Sequence, residues 1–268
     1  MAKEGGYNES KIVKYGLVED VINLRRQHLS YDKIAEELNA VVYGNGIFAA
    51  VGNSGLIAAS GDGNLWTRQE SGTGNNLYGI TAGDGKLVAV GENGTIVVSV
   101  NGMDWYARPG GTEFTLRGIG YGNGRFVAVG DEGTIVVSGS GSLWTAVESG
   151  TTVRLNAVAY DDAGGQFIAV GNGGKILTSP DGREWTERES GTANDLFGVA
   201  AGYGKLVVAG ESGTVLVSDD GESWTARTSG TGNHLRNVLF AGFNFLVVGD
   251  GGTLRYSFDD GETWQEPL

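Results

Sequence analysis

Thr214–Trp224 reads TVLVSDDGESW: alternating β-formers, a serine, a tight Asp-Gly turn, and a tryptophan three residues past the glycine. The phrase returns as LIAASGDGNLW (Leu56–Trp66), TIVVSVNGMDW (Thr95–Trp105), TIVVSGSGSLW (Thr134–Trp144), KILTSPDGREW (Lys175–Trp185) and, one residue longer, TLRYSFDDGETW (Thr253–Trp264). All 6 tryptophans of the chain occupy this one position. Asp-Gly and Asn-Gly supply the positive φ that hairpin turns demand, so each copy reads as a strand, a turn and the start of a further strand. Paired carboxylates beside an indole invite a catalytic reading. Their repetition argues against it, since one active site does not need near-copies of itself in every repeat.

Working outward, each copy sits inside a larger unit. The units begin at Leu38, Leu77, Leu116, Leu155, Leu196 and Leu235. In the second, Leu77–Ala82 and Lys86–Gly91 flank a Gly-Asp-Gly turn, Thr95–Ser99 follows a short loop, and an outer strand starts at Trp105. Segments such as LVAV and TIVV are apolar at successive positions, which suits strands buried on both faces. A period of about 40 residues with four strands per unit is the pattern of a β-propeller. The expectation is a mainly β fold: a six-bladed propeller of four-stranded antiparallel blades over 38–268. Blade 6 is expected to end in an outer strand at Trp264–Leu268, and the ring to close by packing of blade 6 on blade 1.

Residues 1–37 are a different kind of sequence. Leu17, Val21 and Leu24 recur at helical spacing, Ser30 is a good N-cap, and Tyr31, Ile34, Ala35 and Leu38 carry a second stripe. A helical hairpin is expected there, bracing the propeller or mediating self-association through 11–37.

The turn before each tryptophan resembles the Asp-box of BNR-type, sialidase-like propellers, Ser-x-Asp-x-Gly-x-Thr-Trp. Ser257, Asp259, Gly261, Thr263 and Trp264 match it in full. Asp62, Asp181 and Asp220 hold the acidic position in shorter turns, ahead of Trp66, Trp185 and Trp224. Asn101 and Ser140 replace it ahead of Trp105 and Trp144. The resemblance implies a structural role for these residues. The wider pattern, Trp…Ser-Gly-Thr…Leu-x-x-Val…Gly-x-Gly-x-Phe-x-x-Val-Gly, resembles the photosystem II stability/assembly-factor-like propeller repeats, and the resemblance covers 38–268. It implies a protein-interaction or assembly scaffold. Members in photosynthesis bind assembly intermediates through a basic patch, and the net charge of −13 departs from that pattern. LVEDVINLRRQHLSYDKIAEELN resembles the first two helices of phage-type helix-turn-helix domains, but the β-repeat begins where their recognition helix would stand. No nucleic-acid binding is expected of this chain alone.

Composition narrows the chemistry. There is no cysteine, and the 2 histidines, His28 and His234, lie in different regions, so neither a thiolate site nor a His-based triad or metal site is expected. No cofactor is expected. Gly-rich snippets such as Gly83–Lys86 lie between strands and lack the helix end that binds phosphate. The Phe/Tyr-Arg-Ile-Pro segment typical of sialidases is absent, and although Arg117, Arg154 and Arg236 flank inner-strand starts, arginines do not recur on inner-strand positions as a glycosidase would need. A non-catalytic protein is the expectation. No apolar run approaches membrane-spanning length and MAKEGGYNESK has no hydrophobic signal core, which suggests a cytoplasmic or phage-associated protein.

Binding is what remains. Propeller topology puts the loops entering each inner strand on the same face as the loops between strands two and three. These loops vary between repeats, and variation on a repeated scaffold is where a site is grafted. Candidate binding residues are Asn76, Glu92, Phe114, Asp131, Glu132, Arg154, Asp195, Glu211, His234 and Asp250. The partner would be a protein or, on the alternative reading of a lectin-like or phage-particle propeller, a glycan stacking on Phe114, Phe197 or Tyr78.

Overall fold

A computed structural model describes residues 38–266. The helical hairpin expected before Leu38, with its helix-turn-helix resemblance and its self-association role, lies outside them. The described chain is a six-bladed β-propeller. Five sheets are four-stranded and antiparallel, with strands in chain order from the inside outward; blade 1 runs Leu38–Gly44, Ile47–Gly52, Ile57–Ser60 and Thr67–Gln69. The sixth sheet has three strands, and its fourth is reduced to one bridge between Tyr256 and Gln265. The outer strand expected at Trp264–Leu268 is seen among the described residues in that bridge, and residues 267–268 lie outside them.

Along each inner strand, residue faces alternate. Numbered from the leucine that opens it, positions 4 and 6 face the preceding blade and positions 3, 5 and 7 the following one. Position 2 points into the central channel. Blade 2 shows the rule: Ile80 packs on Ala49, Val51 and Ile57 of blade 1, with Ala82 against the same cluster. Four further clusters of described residues fill the junctions from blade 2 to blade 6. Trp105, Trp144, Trp185, Trp224 and Trp264 each join the cluster shared with the preceding blade.

The turn that opened the sequence reading is a fastener. Each third strand ends in a buried serine whose Oγ accepts the turn glycine's N–H, as Ser179 does from Gly182 at 2.8 Å. The indole then donates to that glycine's carbonyl, Trp185 Nε1 to Gly182 O at 3.1 Å. The carboxylate caps the turn: Asp181 Oδ1 accepts from the N–H groups of Arg183 (2.8 Å) and Glu184 (3.2 Å). Asn101 Oδ1 makes the same pair of bonds to Met103 and Asp104, so the position needs an acceptor and not a charge. These N–H groups hold the carboxyls of Asp62, Asp181 and Asp220 below the usual carboxylate range. Burial pushes Asp259 upward, but the hydroxyl and N–H of Thr263 outweigh it and the net shift is again downward.

Candidate functional site

The opposite face carries two tiers of side chains around a central cavity of about 690 Å³. The deeper tier is the ring at position 2: Asn39, Tyr78, Arg117, Asn156, Phe197 and Arg236, all of which line the cavity. Arg117 grips Asp131 bidentately (Nε–Oδ1 3.0 Å, Nη2–Oδ2 2.8 Å), and Arg236 grips Asp250 in the same way (2.8 and 2.6 Å). These carboxylates raise the affinity of both guanidiniums for their protons. Each arginine also lies over an aromatic ring of the preceding blade, Arg117 on Tyr78 at 4.8 Å and Arg236 on Phe197 at 5.0 Å. Asn39 and Asn156 reach the other way, donating to the carbonyls of Leu77 (2.9 Å) and Leu196 (2.8 Å) in the following blades.

The upper tier is the rim. A short turn after each second strand holds its middle residue left-handed, Glu132 at φ +54° being one. The residue before the following inner strand commonly accepts that turn's N–H: Asn76 from Ser54 (2.7 Å), Asp195 from Gly173 (2.8 Å) and His234 Nδ1 from Ser212 (3.0 Å). Glu92 accepts from the N–H of Asn76 (3.0 Å) and from Tyr78 Oη (2.8 Å), and these donors hold its carboxyl low. Glu211 accepts more loosely from the N–H of Asp195, at 3.4 Å. The junction of blades 3 and 4 breaks the pattern. There Arg154 stands where the acceptor would be and approaches Asp131 at 3.6 Å; burial, together with Arg117, pulls its affinity for the proton down.

The structure therefore brings Asn76, Glu92, Asp131, Arg154, Asp195, Glu211, His234 and Asp250 onto one rim, with Glu132 at the tip of a rim turn. Phe114 sits beside them in the loop entering blade 3, 52% exposed. Tyr78 and Phe197, expected as sugar platforms, have ring faces occupied by arginine. The residues that sequence reasoning passed over are Asn39 and Asn156, and with them the ring as a unit. A signal was present. Asn39-Tyr78-Arg117 is followed by Asn156-Phe197-Arg236, and the rim-turn residues beside them run Asn53-Glu92-Asp131 and then Asn172-Glu211-Asp250. The propeller is two tandem three-blade modules, and its mouth carries two copies of an Asn–aromatic–Arg set.

Among the described residues no group of three or more His, Cys, Asp or Glu side chains could hold a metal, and no helix is long and apolar enough to cross a membrane.

Fold and site thus define a β-propeller with a polar, doubly repeated ring at its mouth. No protein-family model matches the sequence, and no curated protein does. Solved structures share the architecture. YCF48 bound to a D1 peptide is 20% identical with a TM-score of 0.67, covering 83% of this chain and 77% of its own. YCF48 from Cyanidioschyzon merolae is 17% identical with a TM-score of 0.66, covering 85% and 84%. The computationally designed Ika8 protein is 13% identical with a TM-score of 0.65, covering 82% and 70%. Identities this low show the fold alone.

Proposed function

We propose that this chain is a non-catalytic interaction or assembly scaffold that grips an extended peptide segment of a protein partner at the mouth of the channel. The observation that carries the reading is the position-2 ring. It offers donors and acceptors already held in place, so binding requires little side-chain ordering. Asn156 Oδ1 is buried and has no hydrogen-bond partner, while Asn156 Nδ2 is committed to Asn172 and Leu196. An unpaired buried acceptor costs about 1–3 kcal/mol; Asn156 Oδ1 is closed to solvent, and a small turn of the amide toward the channel would let a ligand N–H recover that cost. A peptide backbone supplies such N–H groups, alternating with carbonyls that suit the guanidinium edges of Arg117, Arg154 and Arg236. The solved YCF48 neighbour with its bound D1 peptide supports a protein partner for propellers of this kind.

Selection from a displayed random-peptide library, followed by calorimetry on the enriched sequences, tests the proposal. Binding is expected to weaken at least about tenfold in Arg117→Ala and in Asn156→Leu, and to survive Asp62→Asn on the far face. Enrichment of no peptide, or affinity indifferent to Arg117 and Asn156, would overturn it. Specific binding on a glycan array would favour the lectin-like alternative.

A further inference from the structure

The end of the channel away from the arginine ring is bordered by the turns that join the first and second strands of each blade. Blades 1, 2 and 3 place Asn45, Asp84 and Asn123 at the left-handed position of these turns, residue types that tolerate it. Blades 5 and 6 carry aromatics instead. Tyr203 holds the left-handed position at φ +50°, and Phe243 stands at the tip of the next turn. Both rings face solvent, 68% and 76% exposed, and they stack with centroids 5.9 Å apart and planes 27° from parallel. Beneath them Phe240 meets Tyr203 edge-on at 5.2 Å and Phe245 at 4.8 Å, so a column of rings runs from the core between blades 5 and 6 out to the surface. An aromatic pair so firmly anchored and left uncovered is a docking surface.

The turn of blade 4 makes a groove beside that pair. Asp162 to Gly165 separate its strands, where blade 2 needs only Asp84 and Gly85. The longer turn reaches toward blade 5: a Cβ on Gly204 would lie 3.8 Å from that of Ala163. The inner strands explain why the space between is open. Where position 6 of a blade is aromatic, as in Tyr121, Tyr160 and Phe240, position 7 of the preceding blade is a glycine whose Cβ would overlap the ring. Between blades 4 and 5 the pair is Asp161 and Ala201 instead, so no ring fills this end of the junction. The result is a cavity of about 590 Å³ lined by Tyr203 from blade 5 and by Asp161 and Asp162 from blade 4. Asp161 is buried and accepts the N–H of Ala163 at 3.1 Å, whereas Asp162 is exposed. Lys205, two residues past Tyr203, is committed to Asp219 at 2.5 Å, and Asp161 and Asp162 form no ion pair among the described residues.

We propose that this groove docks a basic segment of a protein partner, with an arginine or lysine side chain laid against the Tyr203 ring and its charge answering Asp161 and Asp162. Charge complementarity selects this occupant. The groove offers unpaired carboxylates on a chain of net charge −13, a field that draws in a cation and repels a second copy of the chain. The local chemistry agrees, since an aromatic face beside a carboxylate fits a cation carried on an apolar stem. A neutral sugar would gain nothing from the charge. The groove lies on the face opposite the arginine ring, so it is a second site and does not depend on peptide binding at the mouth.

Fluorescence anisotropy of the full chain with fluorescein-labelled Gly-Ser peptides bearing arginines, lysines or glutamates tests this, in about 0.15 M salt, where a screening length of about 8 Å suppresses diffuse attraction. The arginine and lysine peptides should bind and the glutamate peptide should not. Tyr203→Asn should weaken binding at least about fivefold. Asparagine is what blades 1 and 3 carry at this left-handed position, so the turn keeps its fold. Asp162→Asn should weaken binding about threefold, whereas Asp62→Asn, which removes the same charge from blade 1 across the ring, should leave it unchanged. Failure of the basic peptides to bind, an affinity indifferent to Tyr203, or equal losses in Asp162→Asn and Asp62→Asn would overturn the proposal. So would binding of a neutral oligosaccharide that Tyr203→Asn abolishes, which would make a glycan the occupant.

Discussion

Gly122→Ala is the sharpest test of how the blades fit. The new methyl group would overlap the ring of Tyr160, which lies 4.8 Å from the ring of Phe167 in the cluster joining blades 3 and 4. Gly122 has no positive φ, so the backbone accepts alanine and the cost is purely one of packing. Either the sheets separate, an overpacking cost of about 1–3 kcal/mol, or Tyr160 swings into solvent. The second route forfeits an aromatic pair worth about 0.5–1.5 kcal/mol plus part of the ring's burial. Both routes converge on about 2 kcal/mol, roughly 4–8 °C in melting temperature for a domain of this size. Urea denaturation followed by tryptophan fluorescence should register the loss. In a Tyr160→Ala background the same change should cost far less, because the obstructing ring is gone. Ala241→Gly, at the corresponding but exposed position of blade 6, should show only the backbone cost of glycine, about 0.5–1 kcal/mol. The reasoning fails if Gly122→Ala is neutral, or if its cost is unchanged without the Tyr160 ring.

Other consequences follow from the turns and the rim. Ser179→Ala leaves the buried Gly182 N–H without its acceptor and should cost about 1–3 kcal/mol by chemical denaturation. The depressed carboxyls of Asp62, Asp181, Asp220 and Asp259 contribute stability that is present above the ordinary carboxylate pKa and lost as pH falls through their lower folded values. The denaturation midpoint should therefore hold from about pH 7 to 5 and drop below about pH 4, less steeply in Asp181→Asn/Asp220→Asn. Asn194→Ala removes a 2.8 Å bond to Thr214 Oγ1 beneath the rim and should cost about 1 kcal/mol in the same assay, with the fold kept.

The propeller was legible because its determinants are local and repeated. A strand that ends Ser-x-Asp-Gly and places an indole beyond the turn specifies the same hairpin wherever it occurs. The loop face was legible for a similar reason, since antiparallel connectivity fixes which loops share an end. The close approach of neighbouring inner strands was not legible from the period alone, because Gly118, Gly120 and Gly122 show their meaning only with the inner strand of blade 4 set beside them. The position-2 ring escaped for another reason. Its residue types differ from blade to blade, so a one-blade period hides the Asn–aromatic–Arg order that a three-blade period exposes.

The central claim, that the doubly repeated mouth and not the Ser-Asp turns is the working face, is tested most directly by amide hydrogen exchange with and without a selected peptide. Protection should concentrate on the rim turns around Glu92, Asp131, Asn172 and Glu211 and on the starts of the inner strands, leaving the turns at Asp62, Asp181 and Asp220 unchanged. Protection confined to those last turns, or to the outer strands, would contradict the account.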